Sequence, residues 1–95
     1  MSSDIHTSAE AGKITVDVAY NGVTESVTIS SNETVHALLE RAMDLFHITN
    51  QRHIMALYRS DGTEVTPETM SLADAHISTG TLLVLRPSAV KGGAS

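Results

Sequence analysis

Paired glycines stand close to the end of this 95-residue chain, within Val90-Lys91-Gly92-Gly93-Ala94-Ser95. Lacking a Cβ, Gly92 and Gly93 can thread a slot too narrow for any other residue. Using such a pair requires a tether that holds it away from a folded body. The preceding residues read as one. Thr81-Leu82-Leu83-Val84-Leu85 is a short apolar run with Gly80 before it and Pro87 shortly after. Its length and composition predict a strand buried on at least one face. Pro87 cannot donate to a ladder, so pairing is expected to stop there. A frayed end or a cloning scar would leave the same dipeptide, so the rest of the chain has to decide between them.

Other chemistry is thinly represented. There are no cysteines, which removes disulfides, thiolate metal sites and a Cys nucleophile. The five histidines, His6, His36, His47, His53 and His76, lack the i, i+3 or i, i+4 pairing that metal-binding helices use. Asp61 and Glu64 flank a turn and read as solvated carboxylates. No Ser-His-Asp order and no phosphate-binding glycine loop is present. The expectation is a protein that is not an enzyme and holds no metal or cofactor. A net charge of −5 supplies no basic stripe for nucleic acid. No apolar run approaches a membrane span, and the first residues lack a signal pattern, so a cytoplasmic protein is expected.

The elements that must position the tail follow in order. Residues 1–12 are small and polar and are expected to be disordered. Ile14, Val16 and Val18 alternate with Thr15, Asp17 and Ala19, the period of a half-buried strand. Asn21-Gly22 signals a hairpin, with a return strand through Val27 and Ile29 to Ser30. Thr34 is the expected N-cap of a helix whose apolar stripe is Val35, Leu38, Leu39, Ala42, Leu45 and Phe46. A third strand is expected within Gln51 to Arg59, and a very short edge strand at Glu64-Val65-Thr66 before Pro67. Ser71 to His76 reads as one helical turn with Leu72 pointing inward. A single helix cannot bury its stripe alone, so it must lie on the sheet. The last strand fits between the first and third, parallel to the first. The fold class is α+β: a mixed sheet of four to five strands packed on one helix.

This order resembles the ubiquitin-like β-grasp family over about residues 13–93. The resemblance rests on Glu33-Thr34-Val35 at the helix start, Asn50-Gln51-Arg52 before the third strand, Ser71-Leu72-Ala73-Asp74-Ala75-His76-Ile77, and Thr81-Leu82-Leu83-Val84-Leu85-Arg86 leading to Gly92-Gly93. It divides the chain into an N-terminal extension (1–12), a β-grasp domain (13–86) and a flexible tail (87–95). The chain departs from ubiquitin in the extension, in a longer tail that contains Pro87, and in Ala94-Ser95 beyond the glycines. Distance from eukaryotic ubiquitin suggests a prokaryotic, bacterial ubiquitin-like modifier.

That resemblance implies a cytoplasmic precursor processed between Gly93 and Ala94 and conjugated through Gly93 by an isopeptide bond to amines of target proteins. It implies activating-like and conjugating-like enzymes and a processing protease, for which a JAMM metalloprotease-like enzyme is one candidate. Arg86 and Lys91 are the residues by which partners would recognise the tail. Lys13 is the main candidate acceptor for chains, because Lys91 lies within the tail and the chain has no other lysine, with the α-amine of Met1 as the other option; a charge guarding a strand edge is the other reading of Lys13. Two alternatives stand beside the modifier. One is a non-covalent docking domain with Ile54, Leu83 and Leu85 as its partner surface. In that reading Met55 and Leu57 turn inward, and a one-residue slip of register would exchange the faces. The other alternative is a sulfur carrier ending in a Gly thiocarboxylate, against which the Ala94-Ser95 extension weighs.

Overall fold

The computed structural model describes residues 12–88. The expected N-terminal extension therefore lies outside the described residues, apart from Gly12. So do Lys91, Gly92, Gly93, Ala94 and Ser95.

The chain opens with the hairpin that Asn21-Gly22 announces. Strand β1 (Lys13–Tyr20) pairs antiparallel with β2 (Val23–Ser30), in register from Lys13 against Ser30 to Tyr20 against Val23. Asn21 and Gly22 both have positive φ, at 52° and 82°. That is a type I′ turn, whose twist matches that of the flanking strands. Val16, Val18, Val27 and Ile29 are buried on one face.

Helix α1 (Val35–Leu45) covers that face. Thr34 caps it: its side-chain oxygen accepts the Ala37 N–H at 3.1 Å. Such a cap contributes about 1 kcal/mol. The buried stripe is Val35, Leu38, Leu39, Ala42 and Met43. Leu45, expected in the stripe, is instead 41% exposed, because the helix ends there beyond the core. Phe46 is half-buried and meets Tyr20 with ring centroids 5.3 Å apart, tying the end of the helix to the end of β1.

The third strand is shorter than expected. Gln51 adopts a left-handed conformation (φ 58°), Arg52–Ile54 forms a 3₁₀ turn, and β3 runs only over Met55–Arg59. Arg52 explains the delay. Its guanidinium donates to the Ile48 carbonyl (2.7 Å), to Glu40 (2.8 Å) and to Asp44 (3.0 Å), which draws this segment back against the helix. Glu40 first, and Asp44 after it, hold the guanidinium above its ordinary pKa. The expected edge strand at Glu64-Val65-Thr66 reduces to a single bridge, Tyr58 to Glu64. Pro67 follows at once and has no N–H with which to extend the ladder.

Strand β4 (Leu82–Pro87) enters between β1 and β3, giving the order β2-β1-β4-β3. It is parallel to β1, with Asp17 opposite Leu82, and antiparallel to β3. Leu72 is fully buried, and its N–H donates to the Glu33 carbonyl at 2.9 Å, which packs the 71–76 turn against the start of the helix. Among the described residues no helix is long and apolar enough to cross a membrane.

Candidate functional site: the chain exit and the outer sheet face

The point where the chain leaves the sheet is a built structure. Pairing does not stop at Pro87, contrary to the expectation from its missing N–H. Pro87 stands opposite Met55, and the Ser88 N–H donates to the Ile54 carbonyl at 2.7 Å. Proline is tolerated here because the next residue supplies the donor. Ser88 is only 2% exposed. Its hydroxyl donates to Glu64 Oε1 at 2.9 Å, and the Tyr58 hydroxyl donates to the same oxygen at 3.1 Å. Arg86 lies over the Tyr58 ring, 4.0 Å from its centroid. A hydrogen bond to a charged group contributes about 1.5–3 kcal/mol, and an exposed cation–π contact about 0.5–1 kcal/mol.

Glu64, read from sequence as a solvated turn carboxylate, is thus the acceptor that fixes the start of the tail. Sequence reasoning missed Tyr58, Glu64 and Ser88. The one available signal was that Ser88 directly follows a strand-ending proline and so could supply the donor that proline lacks. Asp61 is the solvated turn residue expected. It accepts the Thr63 N–H at 2.9 Å, and that bond holds its carboxyl below the usual range.

Arg86, the expected recognition residue, is exposed, but its guanidinium is engaged on Tyr58. Lys13 is exposed at the start of β1. Because β1 and β4 are parallel, Lys13 and Ser88 lie at opposite ends of the sheet. Their separation along the strands is roughly 30 Å at the rise of an extended chain.

The expected partner surface is corrected. Leu83 and Leu85 are fully buried beneath the helix. A strand alternates faces, so the outward residues of β4 are Leu82, Val84 and Arg86. Ile54 is half-buried in the 3₁₀ turn, outside the strand, and does not join Leu83 or Leu85 in a patch. Met55 and Leu57 face the core as expected. The outer face instead carries a row formed by Ala19, Val84 and Tyr58, with Leu82 beside it at 43% exposure. Asp17, opposite Leu82, and Arg86, opposite Ala56, border that row with opposite charges.

The four histidines among the described residues do not converge. His36 is exposed, with its ring 3.3 Å from Glu68 and 3.6 Å from Glu40. Among the described residues no group of three or more His, Cys, Asp or Glu is arranged to hold a metal ion.

No family model and no curated protein matches the chain. Among solved structures it is similar to a designed protein based on ubiquitin, at 18% identity and a TM-score of 0.68, over 80% of this chain and 89% of that one. It is similar to the ubiquitin-like domain of an Arabidopsis thaliana protein, at 24% identity and a TM-score of 0.67, over 79% of this chain and 77% of that one. It is also similar to ATBAG1, solved in complex with HSP70, at 18% identity and a TM-score of 0.69, over 84% of this chain and 43% of that one. These likenesses show the fold: a ubiquitin-like β-grasp, with one helix on a mixed four-stranded sheet.

Proposed function

We propose that this ubiquitin-like protein is a covalent modifier, joined to amines of target proteins through the carboxylate of Gly93 once Ala94 and Ser95 have been removed. The observation that carries the reading is the anchored exit of β4. Strand β4, in the interior of the sheet, runs to Pro87, the next residue Ser88 is held by Ile54 and Glu64, and Gly93 follows within a few residues in sequence. Five further residues span at most about 18 Å when extended. That reach allows a terminal carboxylate to enter a partner's active site while the domain stays outside, and two residues without Cβ suit a narrow channel.

The chemistry that follows is acyl transfer. The Gly93 carboxylate attacks the α-phosphorus of ATP and pyrophosphate leaves. A thiolate of the activating-like enzyme displaces AMP to give a thioester. Exchange onto a conjugating-like enzyme is followed by attack of a target amine, which releases the thiolate and leaves an amide. The chain itself supplies the acyl group and the recognition surface. The ATP and the thiolates belong to the partners, as does the protease that cuts after Gly93. Replacing Gly93 with Val, whose branched Cβ fills the slot, is expected to abolish adducts in the native host. Adducts that persist at the wild-type level would overturn the modifier reading.

The outer row of exposed Leu82 and half-buried Val84 beside Tyr58 favours a second reading, a non-covalent docking domain that uses this face. Val84→Asp would then abolish partner binding without unfolding the domain, whether or not Gly93 is intact.

A further inference from the structure

The two edges of the sheet are finished differently. The free side of β3 is covered by the segment that follows it: the Arg59 N–H donates to the Thr63 carbonyl (2.8 Å) and the Val65 N–H to the Leu57 carbonyl (2.9 Å). No segment among the described residues covers β2 in this way.

The hairpin turn determines which groups lie on that open edge. A two-residue type I′ loop closes on a hydrogen-bonded pair, here Tyr20 with Val23. Alternate pairs then exchange bonds along an antiparallel ladder. Glu25, Val27 and Ile29 accordingly bond to β1, while Thr24, Ser26 and Thr28 turn their N–H and C=O groups outward, and Ser30 turns its N–H outward with its carbonyl accepting the Glu33 N–H at 3.0 Å. Two contacts agree with this assignment. The Asp17 N–H points away from β2, to the Thr81 carbonyl at 3.0 Å, and Arg41 Nη1 reaches the Thr28 carbonyl from outside at 3.5 Å. The edge is eight residues long and contains no Pro, no Lys and no bulge, the usual protections against pairing with another chain.

We propose that β2 pairs antiparallel with β2 of a second copy about a two-fold axis at Val27, joining two four-stranded sheets into one of eight strands. Only outward-facing residues can exchange bonds, and this register places each of the four opposite another of them. Ser26 meets the partner's Thr28 and exchanges both bonds, and the Ser30 N–H donates to the partner's Thr24, which yields about six main-chain hydrogen bonds over the two-fold.

The side chains are complementary in the same register. On the outer face every hydroxyl meets a hydroxyl, the kind of pair the hairpin already contains in Thr15 and Thr28, 3.0 Å apart. On the helix face Glu25 is the only charged residue of β2, so the two-fold opposes no like charges. Glu25 lands opposite the partner's Ile29 and next to the partner's Arg41. Both Glu25 and Arg41 are exposed and neither has an oppositely charged partner among the described residues, whereas neighbouring Asp44 is committed to Arg52 at 3.0 Å. A groove of about 360 Å³ between β2 and α1, rimmed by Arg41 and the exposed Leu45, receives the stem of the partner's Glu25. This pairing is independent of the modifier reading, since it uses neither the tail nor the outer row on β4.

Sedimentation equilibrium of the full chain from micromolar to millimolar concentration tests it. The wild type is expected to dimerise reversibly. Ser26→Pro removes an outward N–H and spares the β1 ladder, so it is expected to stay monomeric with an unchanged circular dichroism spectrum. Glu25→Arg is expected to weaken the dimer about tenfold or more, and adding Arg41→Glu to restore it. If Ser26→Pro does not fold, the Glu25 and Arg41 pair decides alone. A wild type that stays monomeric at millimolar concentration overturns the proposal, as does a dimer indifferent to the folded variants.

Discussion

The β3 edge and the β2 edge close the same sheet in opposite ways. Beyond β3, Thr63 to Val65 covers the ladder, and the Glu64 carboxylate gathers Tyr58 and Ser88 at the point where the chain departs. Beyond β2, Thr24, Ser26 and Thr28 face outward, and among the described residues Arg41 reaches over them to the Thr28 carbonyl. The sequence between the strands accounts for the difference. A two-residue turn joins β1 to β2 and leaves nothing to fold back, whereas the long connection from β3 to β4 supplies a covering segment and its carboxylate. One edge is thus used to anchor the start of the tail, and no strand covers the other among the described residues. Substitutions on the β3 side should affect folding and the exit of the chain, and those on the β2 side association.

The largest expected effect sharpens the register on which both edges depend. Leu83→Ala should cost about 2–5 kcal/mol, because Leu83 is fully buried between α1 and the sheet. Leu82→Ala, one residue away on the outer face, should cost under about 1 kcal/mol. Urea unfolding of the two variants checks this, and equal losses would mean that β4 is shifted by one residue. Next in size is Glu64→Ala, which removes the acceptor used by both Tyr58 and Ser88. It should cost about 1–3 kcal/mol and raise amide exchange at Ser88. Thr28→Lys at the opposite edge should change unfolding free energy by no more than about 0.5 kcal/mol, while weakening self-association. If Thr28→Lys proves as destabilising as Glu64→Ala, the contrast between the edges fails.

The smallest effect is a pH dependence at the turn bordering β3. The Asp61 carboxyl lies below its ordinary range in the folded state because of the Thr63 N–H. A depressed folded value means that its stabilising contribution is present above the unfolded value and disappears as pH falls through the folded one. Asp61→Asn should therefore flatten slightly the acid limb of a stability curve and leave the neutral region nearly parallel to wild type.

Much of this fold was legible because its signals were local. Asn21-Gly22 specified the hairpin, Thr34 the helix start, and Leu72 its inward turn, each through a preference of a few adjacent residues. The register of β4 was not legible. Leu82-Leu83-Val84-Leu85 is apolar at every position, so alternation could not tell the outward Leu82 and Val84 from the buried Leu83 and Leu85. The late start of β3 was hidden for another reason: Arg52 is held by Glu40 and Asp44 from the helix, a contact made only in the folded chain. The same applies to Glu64, whose partners lie in β3 and beyond β4. The paired glycines of the candidate site were plain in the sequence, but what holds their tether was not.

The central claim is that an anchored strand presents a Gly93 carboxylate for transfer to amines. Mass spectrometry of a tryptic digest of native-host lysate tests it most directly, comparing wild type with Gly93→Val. Cleavage after Lys91 should leave a Gly-Gly remnant on lysines of target proteins, present in the wild type and missing in the variant. Recovery of the protein only as an unjoined chain still ending at Ser95, with no remnant on any lysine, would contradict it.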